Sequence, residues 1–504
     1  MSLIPHTINN YNDVLRELCT ENEGFRGKVY YNKDDTPTIG YGLALYNKKS
    51  GAKESTAFDD IKKAGINISK TDEKIFHKIE TAMQANPRND ITIKKLVNQL
   101  DLDLGSEKTG KKVYSYTAER YEAATKSALG TTLYDELKDS KELASLVDLV
   151  YNGGGGIIGP GMKHALEHGN RAEAWFQMRY DSNGGASRGS AGKGLADRRV
   201  RESNMFSLYD ENPNVENMKD IIRMSRFHAD KIGDEEHAFP TVYSGEQSIT
   251  EQIQPAKDYL IEAFGKNVIV DGKVIVGNDT VNDNSTNGGH THTNDTLDGT
   301  EKNDLIFGEK GDDILRGNAG NDILYGGEGA DKLYGGIGND TYMAGEGDTI
   351  KDTDNQGKIY FDATLLSGTK YKVSKDVYED TMFTYSQKGN NLIITQKEDS
   401  SKSITVENWN THKETLGIKL SNEQTHTHHT SILPHGTAVS NAQVAKFDTN
   451  KNKNDLIQEK EDTAVLTEDG IILPASSIAY KDIKDIELAS DTTKNNDDDN
   501  CMVM

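Results

Sequence analysis

A nine-residue unit recurs without a gap from residue 299 onward, and this repeat constrains the fold more than any other feature of the chain. Five consecutive copies read GTEKNDLIF, GEKGDDILR, GNAGNDILY, GGEGADKLY and GGIGNDTYM. A short unit of this kind cannot bury its apolar face alone, so like units stack on one another. The sequence therefore predicts a stack of similar turns in this region.

Each repeat supplies the residue types that a calcium site needs. Glycines permit left-handed turns, and the backbone carbonyls of a turn together with one aspartate are hard oxygen ligands that suit Ca²⁺. The candidate metal-binding positions are Asp295 from a degenerate preceding unit, Asp304, Gly311, Asp313, Gly320, Asp322, Gly329, Asp331, Gly338 and Asp340. With two turns per coil, we expect Asp304, Asp322 and Asp340 to stack on one side, facing a stack of Asp313 and Asp331.

The last triplet of each repeat supplies one apolar residue that we expect to point inward. These residues are Ile306, Leu315, Leu324, Leu333 and Tyr342. The nonapeptide pattern resembles the calcium-binding repeats of RTX proteins, and the resemblance implies a parallel β-roll over residues 296–347. Alternating apolar and polar residues over 348–420 predict strands and resemble the β-rich flank that follows such repeats. The alternative is that the repeats are a flexible linker rich in Gly and Asp.

The N-terminal part carries a second pattern, which starts from a short amphipathic helix. The segment YNDVLRELCTENEG predicts a helix that ends at Gly24, with Glu23 at its exit. Asn32 and Thr38 follow, and Thr38 leads into the glycine-rich turn IGYG. These residue types and spacings resemble the phage-type lysozymes of glycoside hydrolase family 24. The resemblance continues at LASLVDLVYNGGGG, Trp175 and GLADRRVRESNMF, and it implies a mainly helical, α+β lysozyme-like catalytic domain over residues 1–210.

The resemblance implies a role for each catalytic position. Glu23 corresponds to the acid that protonates the leaving oxygen, and Thr38 to a residue that places a water. Asn32 occupies a position that is usually Asp in the family, and an amide cannot act as general base or nucleophile. The candidate supporting or substrate-binding residues are Tyr30, Asp34, Asp35, Gly40, Gly42, Arg198 and Arg199.

Two functional classes remain open from the sequence. One is a secreted peptidoglycan muramidase that cleaves the β-1,4 bond between N-acetylmuramic acid and N-acetylglucosamine, with no cofactor for catalysis. The other is a catalytically impaired cell-wall binder or adhesin that keeps the lysozyme groove. For Glu23 alone, a salt bridge at a helix end is a further explanation, with Arg198 or Arg199 as partner. The sequence distinguishes the two classes only through Asn32.

The remaining segments have weaker signals. Residues 211–295 are expected to form a connector, with a hairpin centred on Asp271 and Gly272 in VIVDGKVIVG and then a polar linker. Residues 421–504 form a C-terminal region whose ending, DDDNCMVM, is similar to some type I secretion signals. A possible second calcium loop of EF-hand type is formed by Asp448, Asn450, Asn452 and Glu459. A plain polar turn is the alternative for that loop.

Charge is distributed unevenly and bears on export. Residues 1–210 carry 30 Lys and Arg against 29 Asp and Glu, a net charge of +1, so residues 211–504 carry −24 of a whole-chain net charge of −23. Such an acidic tail is expected to stay largely disordered until a divalent cation neutralises it. The N-terminus lacks the pattern of a signal peptide, and no run is long enough to span a bilayer. We expect secretion from a Gram-negative bacterium through type I machinery, with peptidoglycan as partner and no nucleic-acid binding.

Overall fold

The computed structural model describes residues 3–32, 36–46, 50–182, 189–265, 268–278, 294–409, 415–424, 465–466 and 472–473. The chain divides into two compact units, the first ending at Phe264 and the second beginning at Gly265. Asp34, Asp35 and the possible EF-hand loop at residues 448–459 lie outside the described residues, so those predictions stay predictions.

The first unit is mainly helical and contains one small antiparallel sheet. Its helices are α1 Tyr11–Glu23, α2 Ser55–Lys63, α3 Lys70–Gln84, α4 Asp90–Val97, α5 Glu107–Leu129, α6 Thr131–Glu136, α7 Lys141–Gly153, α8 Pro160–Glu167, α9 Arg171–Phe176, α10 Gly189–Phe206, α11 Val215–Phe227, α12 Ala229–Ala238, α13 Ile249–Gln252 and α14 Gln254–Phe264. The sheet has the order β1 Arg26–Tyr31, β2 Pro37–Gly40 and β3 Leu43–Ala44. The helical character of this part of the chain is as predicted.

Helix α1 ends where the sequence predicts. Leu15, Leu18 and Cys19 on one face are buried. Gly24 then takes φ +66°, a left-handed conformation that few residues other than glycine adopt, and its N–H bonds to the carbonyl of Thr20. The chain turns at once into β1, so Glu23 lies at the junction of helix and sheet.

The helices after residue 210 belong to the first unit and pack against its earlier helices. The Arg179 guanidinium donates a 2.7 Å hydrogen bond to the carbonyl oxygen of Gln247, and Tyr180 donates a 3.0 Å bond to Glu236. The rings of Phe176 and His228 stack with centroids 3.6 Å apart. The predicted connector over residues 211–295 is therefore divided between the two units rather than forming a separate segment.

The second unit is built from strands in two principal sheets. Its strands are β4 Val274–Val276, β5 Thr296–Asp298, β6 Leu305–Lys310, β7 Ile314–Ala319, β8 Ile323–Glu328, β9 Lys332–Ile337, β10 Asp340–Ala344, β11 Thr349–Lys351, β12 Gly357–Phe361, β13 Thr364–Leu366, β14 Gly368–Ser374, β15 Val377–Glu379, β16 Phe383–Lys388, β17 Asn391–Gln396, β18 Ser403–Val406, β19 Ile418–Gln424, β20 Val465–Leu466 and β21 Ile472–Leu473. One sheet has the order β13-β12-β10-β8-β6-β4, and the other β19-β14-β15-β16-β17-β18-β11-β9-β7-β5.

The repeats form a parallel β-roll, as predicted. Successive repeats alternate between the two sheets, and strands one coil apart pair in parallel, with Leu305 opposite Ile323 and Ile314 opposite Lys332. All five residues predicted to point inward are fully buried in a shared apolar core: Ile306, Leu315, Leu324, Leu333 and Tyr342. The core continues into the antiparallel strands β14 to β18, which gives the β-rich flank that alternation predicts.

The hairpin predicted around Asp271 and Gly272 is wrong. Residues Val274–Val276 instead pair in parallel with Leu305–Phe307 and extend the roll by one strand. The N–H of Gly272 bonds to the carbonyl of Asn303, 2.9 Å away. The open edge of the first coil offers unpaired backbone groups, and pairing with them replaces the local turn that the Asp-Gly signal favours.

Candidate functional sites

The repeat aspartates form two ladders along the roll. In one, the Asp304 N–H donates to Asp322 Oδ1 at 2.7 Å, and the Asp322 N–H donates to Asp340 Oδ1 at 2.8 Å. In the other, the Asp295 N–H donates to Asp313, and the Asp313 N–H to Asp331, at 2.6 and 2.8 Å. This is the two-sided stack that the spacing predicts. Each carboxylate therefore has one oxygen fixed by the backbone of the coil before it.

The second oxygen of most ladder carboxylates lacks a hydrogen-bond partner in the described part of the chain. The Oδ2 atoms of Asp313, Asp322, Asp331 and Asp340 are buried and have no hydrogen-bond partner among the described residues. A Cβ added to Gly317 would lie 2.1 Å from Asp322 Oδ2 and 2.6 Å from the carbonyl oxygen of the next coil's turn. The glycine thus keeps open a position beside a free carboxylate oxygen and a backbone carbonyl.

These residues fit Ca²⁺. Buried carboxylate oxygens without a partner are expensive unless a cation is bound, and Ca²⁺ prefers carboxylate and carbonyl oxygens. No group of three His, Cys, Asp or Glu side chains that could hold a metal converges within the described part of the chain. With one aspartate in each repeat, a Ca²⁺ site in this roll would take its other ligands from backbone carbonyls, with the aspartates supplying the charge.

Electrostatics in the ladders favour the same conclusion. Burial raises the pKa of Asp313, Asp322 and Asp340 to about 7, against the lowering effect of the backbone N–H that each accepts. Neighbouring carboxylates contribute to these raised pKa values, although burial is the larger cause. Without a counter-charge, the ladders therefore hold protons close to neutral pH, and a divalent cation would compete with those protons.

The second ladder has one more member, which the sequence interpretation missed. The Asp331 N–H donates to Asp348 Oδ1 at 2.8 Å, so Asp348 continues the stack. Burial and the charge of Asp331 raise the pKa of Asp348 to about 8. The interval from Asp331 is 17 residues rather than 18, which placed Asp348 outside the repeat alignment. The local sequence GDTI, with a glycine and an aspartate ahead of an inward apolar residue, was the available signal.

The other candidate site surrounds Glu23 at the end of α1. The Glu23 side chain is 21% exposed and forms an ion pair with the buried guanidinium of Arg198 from α10. Arg198 also contacts Asp148 at 2.8 Å and Glu202 at 3.0 Å. A Cβ on Gly42 would lie only 2.6 Å from Glu23 Oε2, so this glycine leaves room for the carboxylate. Glu23 is therefore held by a buried network and still reaches solvent.

Burial and charge act against each other in this network. Burial disfavours the charged form of Arg198, but Asp148, Glu202 and Glu23 outweigh it and raise the pKa of Arg198 above its ordinary value. Burial also raises the pKa of Glu202 well above its ordinary value, although Arg199 and Arg198 oppose this. The three carboxylates around Arg198 thus keep this cation charged and in place.

Tyrosines line the same site. Burial raises the pKa of Tyr30, Tyr121 and Tyr151, and the negative charge of Glu23 contributes to each shift. The Arg26 guanidinium lies 4.5 Å from the centroid of the Tyr30 ring. The structure therefore brings Tyr30, Gly42 and Arg198 close to Glu23, as the sequence interpretation grouped them.

Asn32 follows β1 directly, and Thr38 lies in β2. Asn32 Oδ1 accepts the N–H of Thr36 at 2.9 Å, which makes Asn32 part of the turn. Thr38 is buried and its hydroxyl donates to the Thr36 carbonyl at 3.0 Å. No hydrogen bond within the described ranges links Glu23 to Asn32 or Thr38. The catalytic roles of these residues stay predictions.

Two further predicted residues have structural contacts of their own. Arg199 is buried, pairs with Glu202 and donates to Asn152 at 3.0 Å, so it supports the network one step away from Glu23. Gly40 takes φ +66°, and a Cβ there would lie 3.1 Å from Leu104. The sequence interpretation missed Asp148, although a lone carboxylate within the apolar run LASLVDLVYN indicates a buried charge that needs a partner.

The family match to known proteins falls in the repeat region. The model of the RTX calcium-binding nonapeptide repeat (4 copies) matches residues 293–324 and 316–350. A comparison with curated proteins gives no significant match. The solution structure of the AlgE6R3 subunit from the Azotobacter vinelandii mannuronan C5-epimerase is 27% identical and covers 30% of this chain and 87% of that one, with a TM-score of 0.19. A superposition that poor carries no structural conclusion.

Two further observations concern the helices and the matched residues. Across the described residues, every helix is too short or too polar to cross a membrane. The matched residues coincide with the strands and aspartate ladders of the parallel roll. Together, the sequence match, the roll and the free carboxylate oxygens establish that residues 293–350 are a block of RTX calcium-binding nonapeptide repeats.

Proposed function

We propose that the chain is a secreted muramidase that cleaves the β-1,4 bond between N-acetylmuramic acid and N-acetylglucosamine in peptidoglycan. The observation that carries this proposal is the environment of Glu23, which is anchored by the buried Arg198 and is still 21% exposed. A general acid must be held in a fixed position and must also reach the bond that it protonates. The spacing from Glu23 to Thr38 and the glycines that follow support the same assignment.

In the proposed reaction, Glu23 donates its proton to the glycosidic oxygen as the bond to the anomeric carbon breaks. A water adds to that carbon and leaves a new reducing end. Asn32 Oδ1 accepts the Thr36 N–H, so the amide NH₂ group and the second lone pair of this oxygen remain to orient a water. Since an amide cannot remove a proton, Asn32 and Thr38 orient the water, and a neighbouring aspartate carboxylate accepts the proton that the water loses as it adds.

The amide at Asn32 favours a second candidate function. If no other group activates water, the first unit is a catalytically impaired cell-wall binder or adhesin that keeps the groove around Glu23. The hydrogen bond from the Thr36 N–H to Asn32 also fits a structural role for Asn32, as this second candidate requires.

The RTX repeats supply the second half of the proposal. RTX repeats are consistent with export by type I secretion from a Gram-negative bacterium. Calcium modules outside cells bind with dissociation constants of about 10⁻⁴ to 10⁻³ M, well above cytosolic calcium. We infer that the roll folds after export, when Ca²⁺ reaches the aspartate ladders.

Turbidity loss of purified peptidoglycan tests the proposed activity. Four chains are compared in Ca²⁺: wild type, Glu23→Gln, Asn32→Asp and Glu21→Gln, which changes an exposed carboxylate of the same helix. Removing a general acid is expected to reduce the rate by at least about 100-fold, and Glu21→Gln should leave it unchanged. New reducing ends are measured in parallel, since they distinguish cleavage of sugar bonds from other causes of clearing.

Each outcome decides between the candidates. Lysis that Glu23→Gln abolishes supports the muramidase. Activity that survives Glu23→Gln would refute the assignment of Glu23 as the acid. The impaired binder is supported if the wild-type chain binds peptidoglycan but releases no reducing ends, and if the Asn32→Asp variant does release them.

A further inference from the structure

The repeat that begins at Gly335 differs from the earlier repeats at its opening glycine. A Cβ added to Gly308 would lie 2.3 Å from the carbonyl oxygen of the next coil and 2.7 Å from Asp313 Oδ2. A Cβ added to Gly335 would instead lie 2.1 Å from the Tyr342 hydroxyl and 2.2 Å from Asp340 Oδ2. A phenolic hydroxyl therefore stands in the last repeat where an earlier repeat has a backbone carbonyl.

Two hydrogen bonds hold the Tyr342 hydroxyl in this position. The Gly335 N–H donates to its oxygen at 3.0 Å, and the hydroxyl donates to Asp352 Oδ2 at 2.6 Å. Asp352 Oδ1 in turn accepts the N–H groups of Asp354 and Asn355, so both oxygens of this carboxylate accept bonds from the chain. Tyr342 is fully buried, and burial together with the charge of Asp352 raises the pKa of its hydroxyl well above the ordinary value. The hydroxyl therefore keeps its proton and remains a donor.

The sequence explains why this ladder ends at Asp340. Strand β12 pairs in parallel with β10 and places Gly357 opposite Asp340, so the next coil offers a glycine in place of an aspartate. Asp352 takes the opening position of that coil, which a glycine holds in all five repeats. Tyr342 takes the inward position that leucine or isoleucine holds in the four earlier repeats. Three departures from the repeat pattern therefore lie together at the end of the ladder.

The oxygens at this position do not suit Ca²⁺, which takes about six to eight oxygen ligands, chiefly carboxylates and carbonyls. Both oxygens of Asp352 accept bonds from the chain, and the Tyr342 hydroxyl fills the space beside Gly335. Among these groups of the described chain, Asp340 Oδ2 alone is left to face a cation. The hydroxyl adjoins that oxygen, and a hydroxyl is a donor as well as an acceptor, whereas a carbonyl only accepts. The position is therefore filled by a protein donor and lacks the ligands that an ion needs.

The other ladder ends differently, beside the glycine that opens the preceding repeat. A Cβ on Gly326 would lie 2.5 Å from Asp331 Oδ2 and 2.8 Å from Asp348 Oδ2, so two carboxylates converge at this position. Asp331 Oδ2 is buried and has no hydrogen-bond partner among the described residues. Asp348 Oδ2 accepts only the N–H of Gly345, at 2.8 Å, within the same described part of the chain. Two carboxylates at one buried position favour a divalent cation, so the two ladders close by different chemistry.

We propose that Tyr342 and Asp352 close their ladder without calcium, so that the position beside Gly335 takes no ion even in saturating Ca²⁺. The positions of the earlier repeats, with their free carboxylate oxygens, are those that Ca²⁺ fills. The inward residue of the last repeat thus limits the number of ions that the roll binds. The inference concerns the calcium-binding unit alone and does not depend on the proposed muramidase activity.

Counting the Ca²⁺ ions bound to the full chain tests the inference. Native mass spectrometry and equilibrium dialysis give this number in saturating Ca²⁺ for wild type, Asp322→Asn, Asp340→Asn and Asp352→Asn. The first two variants are a matched pair, because each asparagine keeps an Oδ1 that accepts the ladder N–H and replaces Oδ2 by an NH₂ group. Emission from Trp409, which is buried in the second unit, confirms that each variant folds.

Asp322→Asn should bind one Ca²⁺ fewer than wild type, because an NH₂ group is a donor and does not bind a cation. Asp340→Asn and Asp352→Asn should each bind the wild-type number. Loss of an ion in either of these two variants would overturn the inference. An undiminished number in Asp322→Asn would overturn it as well, since the two positions of the ladder would then not differ.

Tyr342→Leu tests the hydroxyl itself. Leucine is the residue of most earlier repeats at this position, and it removes the oxygen that fills the space beside Gly335. Asp340 and Asp352 then both lose the adjoining hydroxyl, so we expect the variant to bind one more Ca²⁺ than wild type. A number equal to that of wild type would overturn the role given to Tyr342.

Discussion

The two units of the chain treat buried carboxylates in opposite ways. In the first unit, Asp148 contacts Arg198 at 2.8 Å, and Glu202 pairs with Arg199. In the second unit, Asp322 accepts one backbone N–H, and its other oxygen has no partner among the described residues. Buried charges are paired or coordinate metals in stable folds. The first unit supplies its own counter-charges, whereas we expect the ladders of the second unit to take theirs from a cation in solution.

This difference indicates which of the two units can fold without a bound cation. A network of arginines and carboxylates forms as the helices pack, and its stability depends only on the chain. The aspartate ladders gather like charges along the roll, and this repulsion is removed only by protons or by a divalent cation. The comparison therefore predicts that the two units respond independently to calcium, to pH and to the loss of single charges.

Removing calcium is expected to give the largest effect, and only on the second unit. Each unit contains one buried tryptophan, Trp175 in the first and Trp409 in the second, so single-tryptophan variants report on each separately. In chelator, emission from Trp409 should shift to the red as the roll unfolds, while emission from Trp175 stays unchanged. Restoring Ca²⁺ should reverse the shift, and Mg²⁺ should not, because it demands a smaller octahedral site.

Two outcomes of that experiment would contradict the contrast between the units. If Trp409 stays buried in chelator, the ladders do not need a cation to fold. If Trp175 is exposed together with Trp409, the first unit is not autonomous. Hydrogen exchange over α7 and over β8 provides a second measurement that does not depend on fluorescence.

Acidification is expected to replace part of the effect of calcium. Burial raises the pKa of Asp322 and Asp340 to about 7 in the folded roll, whereas aspartate in an unfolded chain titrates near about 3.9. The folded state therefore binds more protons, so this contribution to stability is complete below about pH 4 and is lost as the pH rises through about 7. In chelator, Trp409 should be more protected at pH 5 than at pH 8. The opposite order would show that like-charge repulsion does not limit the metal-free roll.

Breaking the network in the first unit should have a smaller but measurable effect. Removing one partner of a buried ion pair costs about 3–5 kcal/mol, and Asp148→Ala should lie near the lower end because Arg198 keeps Glu202 and Glu23. Urea unfolding followed through Trp175 measures the change, with Glu21→Ala as the exposed control on α1. The loss should be the same with and without calcium. A loss that appears only in chelator would mean that the two units are coupled.

The repeat region was largely predictable because its information is local and periodic. The nine-residue interval alone placed Ile306 and Tyr342 inside and set Asp304 above Asp322. Asp348 was not predicted because its interval from Asp331 is 17 residues, one fewer than the regular interval. The hairpin at Asp271 failed for another reason, since a strong local turn signal was outweighed by pairing with the edge of the roll.

The first unit was less predictable because its site is assembled from distant segments. Helix α1 and its stop at Gly24 follow from spacing and one glycine. The contact between Arg198 and Asp148 joins residues 50 positions apart, and no local pattern encodes such a separation. The sequence could show that Asp148 needs a partner, but only packing of α7 against α10 determines which one. The muramidase assignment accordingly remains a proposal built on Glu23 and its surroundings.

The smallest effect is expected from an ion pair on the surface of the first unit. Arg16 and Asp13 lie three residues apart on α1, with side chains 30% and 57% exposed. Water screens such a pair, so Arg16→Ala should change the free energy of unfolding by less than about 1 kcal/mol. The measurement is the same urea titration through Trp175 that is used for Asp148→Ala. A loss as large as that of Asp148→Ala would mean that burial does not set the value of charge pairs here, and the contrast between paired helices and unpaired ladders would lose its physical basis.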